Sequence, residues 1–241
     1  MRPLVALLAL VLAACAAPPP IPAVPSAPPG TPVVVTLGDS VPAGTACDCD
    51  PFPDLYARLM APNAVSVNLA QPGYTSTDVQ GLIADGGVRS DLRRATIVLI
   101  MAGANDLAEA FDDTRDDAAY QAAADQVEVN VAATVDAVVQ VHGAPLTVLV
   151  LGYWNVVKDG AVGLATYGAD GLASARAATR YCDLALRRAA SRSGAQYVPT
   201  TSAFRGDHHA QDPTALLAPD GDHPNADGQE AIAEAVYAAL P

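Results

Sequence analysis

Four short segments of this 241-residue chain carry groups that acyl-transfer chemistry uses. They are Gly38-Asp39-Ser40, Asn68 to Gly73, Gly103-Ala104-Asn105-Asp106 and Asp220-Gly221-Asp222-His223-Pro224-Asn225. A serine hydroxyl is a poor nucleophile until a base takes its proton. A histidine, with a pKa near neutrality, can take that proton and later return it to a leaving group. A carboxylate can hold the imidazole in the correct tautomer, and hydrogen-bond donors must meet the oxyanion that forms on the attacked carbonyl. Ser40, His223 and Asp220 supply the first three groups. The backbone N–H groups of Ser40 and Gly73 and the side-chain amide of Asn105 are the candidate donors. Between the two acids near His223, the reading favours Asp220. Asp220-Gly221 is turn chemistry that can fold the carboxylate back, whereas in an extended segment Asp222 would face away from the ring. Asn225 is expected to cap the helix that follows, with Asp227 in its first turn.

Any one of these segments alone is weak. Gly-Asp-Ser is a common turn composition, Asn105-Asp106 suits a helix N-cap, and a histidine before proline is usually an exposed loop residue. Their occurrence in order, each at a strand end or helix start, is what points to catalysis. The other histidines carry no comparable block. His208 and His209 read as surface loop residues, and His142 suits the last turn of a helix. Tyr153 and Trp154 close a strand near the expected active face, as pocket wall or as core packing.

The elements that must position these groups are legible as alternating runs. Val33 to Leu37, Ala95 to Met101 and Leu146 to Leu151 are apolar on both faces, as strands of a covered parallel sheet are; Val65 to Leu69 and Ala195 to Val198 are shorter candidates. Val127, Val131, Val135 and Val138 recur at helical spacing before Gly143. Leu172, Ala175, Thr179, Cys182 and Leu186 do so before Gly194, and Ala226 to Leu240 forms a last helix. Strand and helix in alternation predict a three-layer α/β/α sandwich, with ligands at the carboxyl ends of the strands.

The four segments resemble the four blocks of the SGNH/GDSL hydrolases, in that family's order. Its Ser, Gly, Asn and His map to Ser40, Gly73, Asn105 and His223, and its acid, three residues before the histidine, maps to Asp220. The resemblance covers nearly all of residues 33 to 241. It implies a flavodoxin-like sheet of about five parallel strands, hydrolysis of an ester through an acyl-enzyme, and no cofactor. The first block reads Gly-Asp-Ser-Val where the family has Gly-Asp-Ser-Leu, a hydrophobic swap without chemical consequence. Around Cys47 to Pro51 lies an insertion that can shape the acyl or alcohol pocket. A short acyl or acetyl group is expected, since no long apolar lid segment is evident. An acyltransferase with a sugar or lipid alcohol as acceptor, and a non-catalytic binding lipoprotein on the same fold, are the alternatives.

Composition sets the outer limits. Hydrophobic residues make up 51% and charged residues 16%, enough for a sizeable core and against wholesale disorder. A net charge of −13 disfavours nucleic acid as a partner. Arg2, the apolar run Leu4 to Ala14 and Cys15 read as an export segment. Leu12-Ala13-Ala14-Cys15 resembles the lipobox of bacterial lipoproteins, with ordinary cleavage as the alternative. The expected organisation is a signal peptide over 1–14, a Pro/Ala-rich tether over 15–32 and the hydrolase domain over 33–241. Lipid on Cys15 would anchor an exported monomer to the cell surface or the periplasmic face of a membrane; without it the protein would be secreted. The ester substrate would be a small molecule, a glycan or a lipid. Cys47, Cys49 and Cys182 form one disulfide plus a free thiol, or none. Cys47-Asp48-Cys49 lacks a partner cluster for a metal site, and Cys182 sits on an apolar helical stripe as a buried cysteine would.

Overall fold

The computed structural model describes residues 30–240. The expected signal peptide, the lipidation site at Cys15 and most of the tether lie outside the described residues.

Five strands form one sheet: β1 (Val33–Gly38), β2 (Val65–Asn68), β3 (Ile97–Met101), β4 (Thr147–Leu151) and β5 (Gln196–Val198). Their order is β2-β1-β3-β4-β5, and every pairing is parallel. The expected three-layer α/β/α sandwich with a flavodoxin-like sheet is therefore what the chain forms. Every residue of β1 and β3 is buried, which explains their unbroken apolar runs. β3 starts two residues later than the apolar run suggests. Ala95 closes the short helix α3 (Arg89–Arg94), and the Thr96 hydroxyl takes the N–H of Val33 at 3.0 Å.

Right-handed crossovers fix the layers. The chain steps from β1 to β2 in one direction, through α1 (Phe52–Met60), and then reverses. The later crossovers use α2 (Ser76–Ala84), α3, α4 (Ala104–Asp113), α5 (Asp117–His142) and α6 (Gly160–Ser193), and so lie on the opposite face. After β5 come the one-turn α7 (Thr201–Arg205) and α8 (Ala226–Ala238), and α8 packs against α1. The reversal leaves a crevice at the carboxyl ends of β1 and β3, where ligands bind in such sheets.

The helical stripes fall where the sequence places them, with longer ends. α5 begins at Asp117, capped by the Asp116 side chain, and stops at Gly143 in the left-handed region (φ 77°). α6 runs from Gly160 to a left-handed Gly194 and is kinked at Gly168. His142 occupies the last turn of α5, and its ring nitrogens meet the carbonyls of Ala144 and Ala95. No helix among the described residues is long and apolar enough to cross a membrane.

Candidate active site

β1 ends in Gly38, whose Cβ, if it had one, would overlap the Met101 carbonyl of the neighbouring strand. Only glycine lets the chain leave the sheet edge this closely. The next residues form a turn in which the Asp39 N–H donates to the Met101 carbonyl at 3.2 Å. Ser40 therefore stands at the carboxyl end of β1. Gln229, fully buried on α8, holds the turn from the far side. Its amide donates to the Val41 carbonyl at 3.2 Å and accepts the Phe52 N–H at 2.8 Å.

His223 comes from the loop before α8. Asn225 caps that helix by accepting the Gly228 N–H at 3.0 Å, and Asp227 lies in the first turn. Ahead of them, Gly221 takes φ 74°, and a Cβ there would strike Val162. The resulting turn lets Asp220 Oδ1 accept the N–H groups of Asp222 and His223 at 3.0 and 3.1 Å. Asp220 Oδ2 then meets His223 Nδ1 at 2.7 Å, and His223 Nε2 meets Ser40 Oγ at 2.9 Å. A continuous line of hydrogen bonds joins carboxylate, imidazole and hydroxyl.

Asn105 lies in the first turn of α4, beyond β3. One of its amide hydrogens goes to the Tyr74 carbonyl at 2.8 Å, and the other has no acceptor among the described residues. That bond ties Asn105 to the turn containing Gly73, which takes φ 83°. Gly73 itself does not wall the cleft beside Ser40, whereas Asn105 does. The N–H groups of Ser40 and Gly73 donate to no protein acceptor among the described residues. The cleft holds about 20 Å³ between Ser40, Asn105, Tyr153, Asn155 and His223.

Asp222 borders the same cleft as Ser40 and His223, and its backbone carbonyl accepts the Asn155 amide at 3.2 Å. The segment is a turn at the left-handed Gly221 and not the extended run that was expected. Burial raises the Asp222 pKa, offset in part by the charge of His223. Asp220 behaves oppositely. Burial pulls its pKa upward, but the N–H of Asp222 and the ring and N–H of His223 outweigh that and hold it below the ordinary carboxylate range.

Several supports carried no motif. Asp39 is fully buried beside Ser40, and burial pushes its pKa up to about 7 against hydrogen bonds from Tyr153 and Val41. The Tyr153 hydroxyl donates to Asp39 Oδ2 at 2.5 Å, so Tyr153 serves as both pocket wall and core. Asp106 accepts the hydroxyl and the N–H of Ser76 at 2.6 and 2.8 Å, and Asn130 of α5 donates to Ser76 Oγ at 3.0 Å. This network pins α4, and with it Asn105, to α2 and α5. Trp154 turns the other way and stacks on Phe204 with centroids 3.6 Å apart.

Cys47 and Cys49 form a disulfide, and Cys182 is a buried free thiol. No residue of the Cys47 to Pro51 insertion lines the cleft. His208 and His209 are exposed, as expected of loop residues. Among the described residues no group of three His, Cys, Asp or Glu side chains is arranged to hold a metal.

Residues 36–231 match the model of the GDSL-like lipase/acylhydrolase family. The chain belongs to that family. Its members hydrolyse ester bonds, and this GDSL-like chain is an ester-bond hydrolase. A search of curated proteins found no match. Among solved structures, the fold is similar to a lipase from a goat rumen metagenome, with a TM-score of 0.68 and 19% identity over 87% of this chain and 97% of that one. A phospholipase A1 from Streptomyces albidoflavus aligns with TM-score 0.59 and 20% identity, over 88% of this chain and 100% of that one. An acetylxylan esterase from Geobacillus stearothermophilus gives 0.60 and 17%, over 86% and 93%.

Proposed function

We propose that this GDSL-family chain is a serine esterase that acts through an acyl-enzyme on Ser40. The observation that carries the reading is the unbroken line from Asp220 through His223 to Ser40, at 2.7 and 2.9 Å. His223 Nε2 takes the Ser40 proton as Oγ attacks the ester carbonyl, and Asp220 stabilises the imidazolium that forms. The oxyanion is met by the Ser40 N–H and the amide hydrogen of Asn105 not given to Tyr74; the family pattern adds the Gly73 N–H, although Gly73 does not wall the cleft here. Collapse of the tetrahedral intermediate expels the alcohol, which receives the proton from His223. Water, activated by the same imidazole, then releases the acid.

The acyl group is short, an acetyl or a close homologue. The support is the cleft volume of about 20 Å³, little more than one water molecule needs. Of the relatives above, the acetylxylan esterase is the one whose substrate carries such a group. Export followed by lipidation of Cys15 completes the proposal, on the strength of the N-terminal sequence; a similar fold occurs in an extracellular lipase of Streptomyces rimosus. A fluorophosphonate probe followed by peptide mapping tests the nucleophile, and p-nitrophenyl esters from acetate to palmitate test the chain length. An adduct on a residue other than Ser40, or a rate peaking at palmitate, overturns the corresponding part. Loss of a metabolically incorporated fatty-acid label in Cys15→Ser is expected, and no label on the parent protein refutes lipidation.

A further inference from the structure

A second cavity, of about 180 Å³, lies on the other side of the β4–α6 connection from the catalytic cleft. Tyr153 and Asn155 face the cleft, and Trp154 between them faces this cavity. Its rim carries Arg176 and Arg180, one turn apart on α6, and its wall carries Arg205. Three guanidinium groups thus converge in a chain with only 13 basic residues against 26 acidic ones.

These arginines are not consumed by structural pairing to the same degree. Arg205, 7% exposed, is spent on the buried carboxylate of Asp159. Neither Arg176 nor Arg180 has a carboxylate within ion-pair distance among the described residues. Asp212 acts on Arg205 and Arg176 only through its longer-range field. One carboxylate, Asp183, does line the cavity, but its oxygens are engaged elsewhere. They accept the Tyr153 N–H at 2.8 Å and the Thr201 hydroxyl at 3.3 Å, and Arg187 adds an offsetting positive charge. Trp154, 2% exposed and stacked by one face on Phe204, borders the cavity, and its buried indole N–H finds no acceptor among the described residues.

We propose that this cavity binds a small organic oxyanion, a carboxylate or phosphate on a flat apolar body. Arg176 and Arg180 hold the oxyanion, and the body fills the cavity beside the edge of Trp154. Forked guanidinium donors match carboxylate and phosphate oxygens, and two on successive turns can grip one group. The volume is below the ~300–1,000 Å³ that encloses a drug-sized ligand, which limits the body to about one ring. The site is separate from the ester-cleaving cleft and does not depend on the acyl-enzyme reading.

Trp154 is the chain's single tryptophan, so its fluorescence reports this cavity specifically. The experiment titrates the folded protein with phenyl phosphate, with phenol and inorganic phosphate as separate arms. A saturable change in emission with phenyl phosphate, weaker with either half-molecule, is expected. A charge-assisted hydrogen bond contributes about 1.5–3 kcal/mol, so Arg180→Gln and Arg176→Gln should each weaken the dissociation constant about tenfold or more. Both variants should hydrolyse p-nitrophenyl acetate at the parent rate, which also shows that they fold. The titration is repeated on protein carrying a phosphonate adduct in the catalytic cleft, where binding should persist. No saturable change, a change indifferent to both substitutions, or loss of binding in the blocked protein overturns the proposal.

Discussion

Replacing Asp220 by asparagine tests the hydrogen-bonded line at its most exposed joint, where a second carboxylate, Asp222, borders the same cleft. The amide oxygen of the new side chain can keep the two backbone bonds now made by Oδ1, from the N–H groups of Asp222 and His223. What changes is the 2.7 Å contact to His223 Nδ1, where an NH₂ would face a ring N–H. The ring then loses the contact or shifts its proton to Nε2, and an Nε2–H cannot take the Ser40 proton. The same change in a buried protease triad costs about 10⁴ in kcat. The Asp220 side chain is 36% exposed, so water can replace part of the lost interaction, and a loss of about 10²–10³ is expected here. Asp222→Asn removes no hydrogen bond to the imidazole and leaves its backbone carbonyl to accept from Asn155 at 3.2 Å. Its cost should stay within a few-fold. The assay is kcat/KM for both variants on p-nitrophenyl acetate at one pH, with circular dichroism to confirm folding. Equal losses, or a larger loss at Asp222, would refute the assignment.

Asn105→Ala should lower kcat by about 10²–10³ with a smaller change in KM, because an oxyanion donor acts most strongly as charge develops; an unchanged kcat on the same ester removes Asn105 from that role. Asp39→Asn should change how stability depends on pH. The folded pKa is raised from 3.8 to about 7, so the native state holds an extra proton between those values. The associated stability is fully present below about pH 4 and is lost as pH rises through 7, on the order of 4 kcal/mol at 1.36 kcal/mol per unit. Denaturant titrations of parent and variant at pH 4 and pH 8 should differ by much of that amount, and identical pH slopes would contradict it. Cys182, whose thiol burial holds well above its ordinary pKa, should resist alkylation in the native protein and react after unfolding. Rapid native labelling, followed by mass spectrometry, would show that α6 opens.

What can be read from the sequence is whatever is written locally. The apolar runs at Val33 to Leu37 and Ala95 to Met101 need no partner to be recognised as buried strands, although the second strand itself starts at Ile97. Gly143 and Gly194 mark the ends of α5 and α6 by their own backbone freedom. The order of Ser40, Gly73, Asn105 and His223 is visible because each stands at the end of a strand or the start of a helix that can itself be seen. What escapes depends on contacts between distant residues. Asp106 reads as a helix-start acid, and only the approach of Ser76 and Asn130 gives it another task. Gln229 carries no signal in the sequence, yet α8 lies against α1 and buries it beneath the Ser40 turn. The segment around Asp222 departs from its extended reading for a local reason: the left-handed Gly221 makes it a turn.

Three carboxylates surround the His223 ring, and their surroundings, more than their sequence positions, divide the roles. Asp39 is sealed beneath the Ser40 turn, where burial favours its protonated form and Tyr153 engages one oxygen. Asp222 is largely buried against the cleft, and its pKa is raised as well. Asp220 alone combines partial exposure with three donors, two from the backbone and one from the ring, and its pKa falls. An acid that is to stabilise an imidazolium must be ionised when the proton arrives, and a site that separates carboxylate pKa values in this way assigns the task to the one held low. The burial that disqualifies Asp39 gives it a different use. Accepting from the Val41 N–H and the Tyr153 hydroxyl, it fixes the Ser40 turn, and with its pKa raised to about 7 it carries only part of a charge at neutral pH.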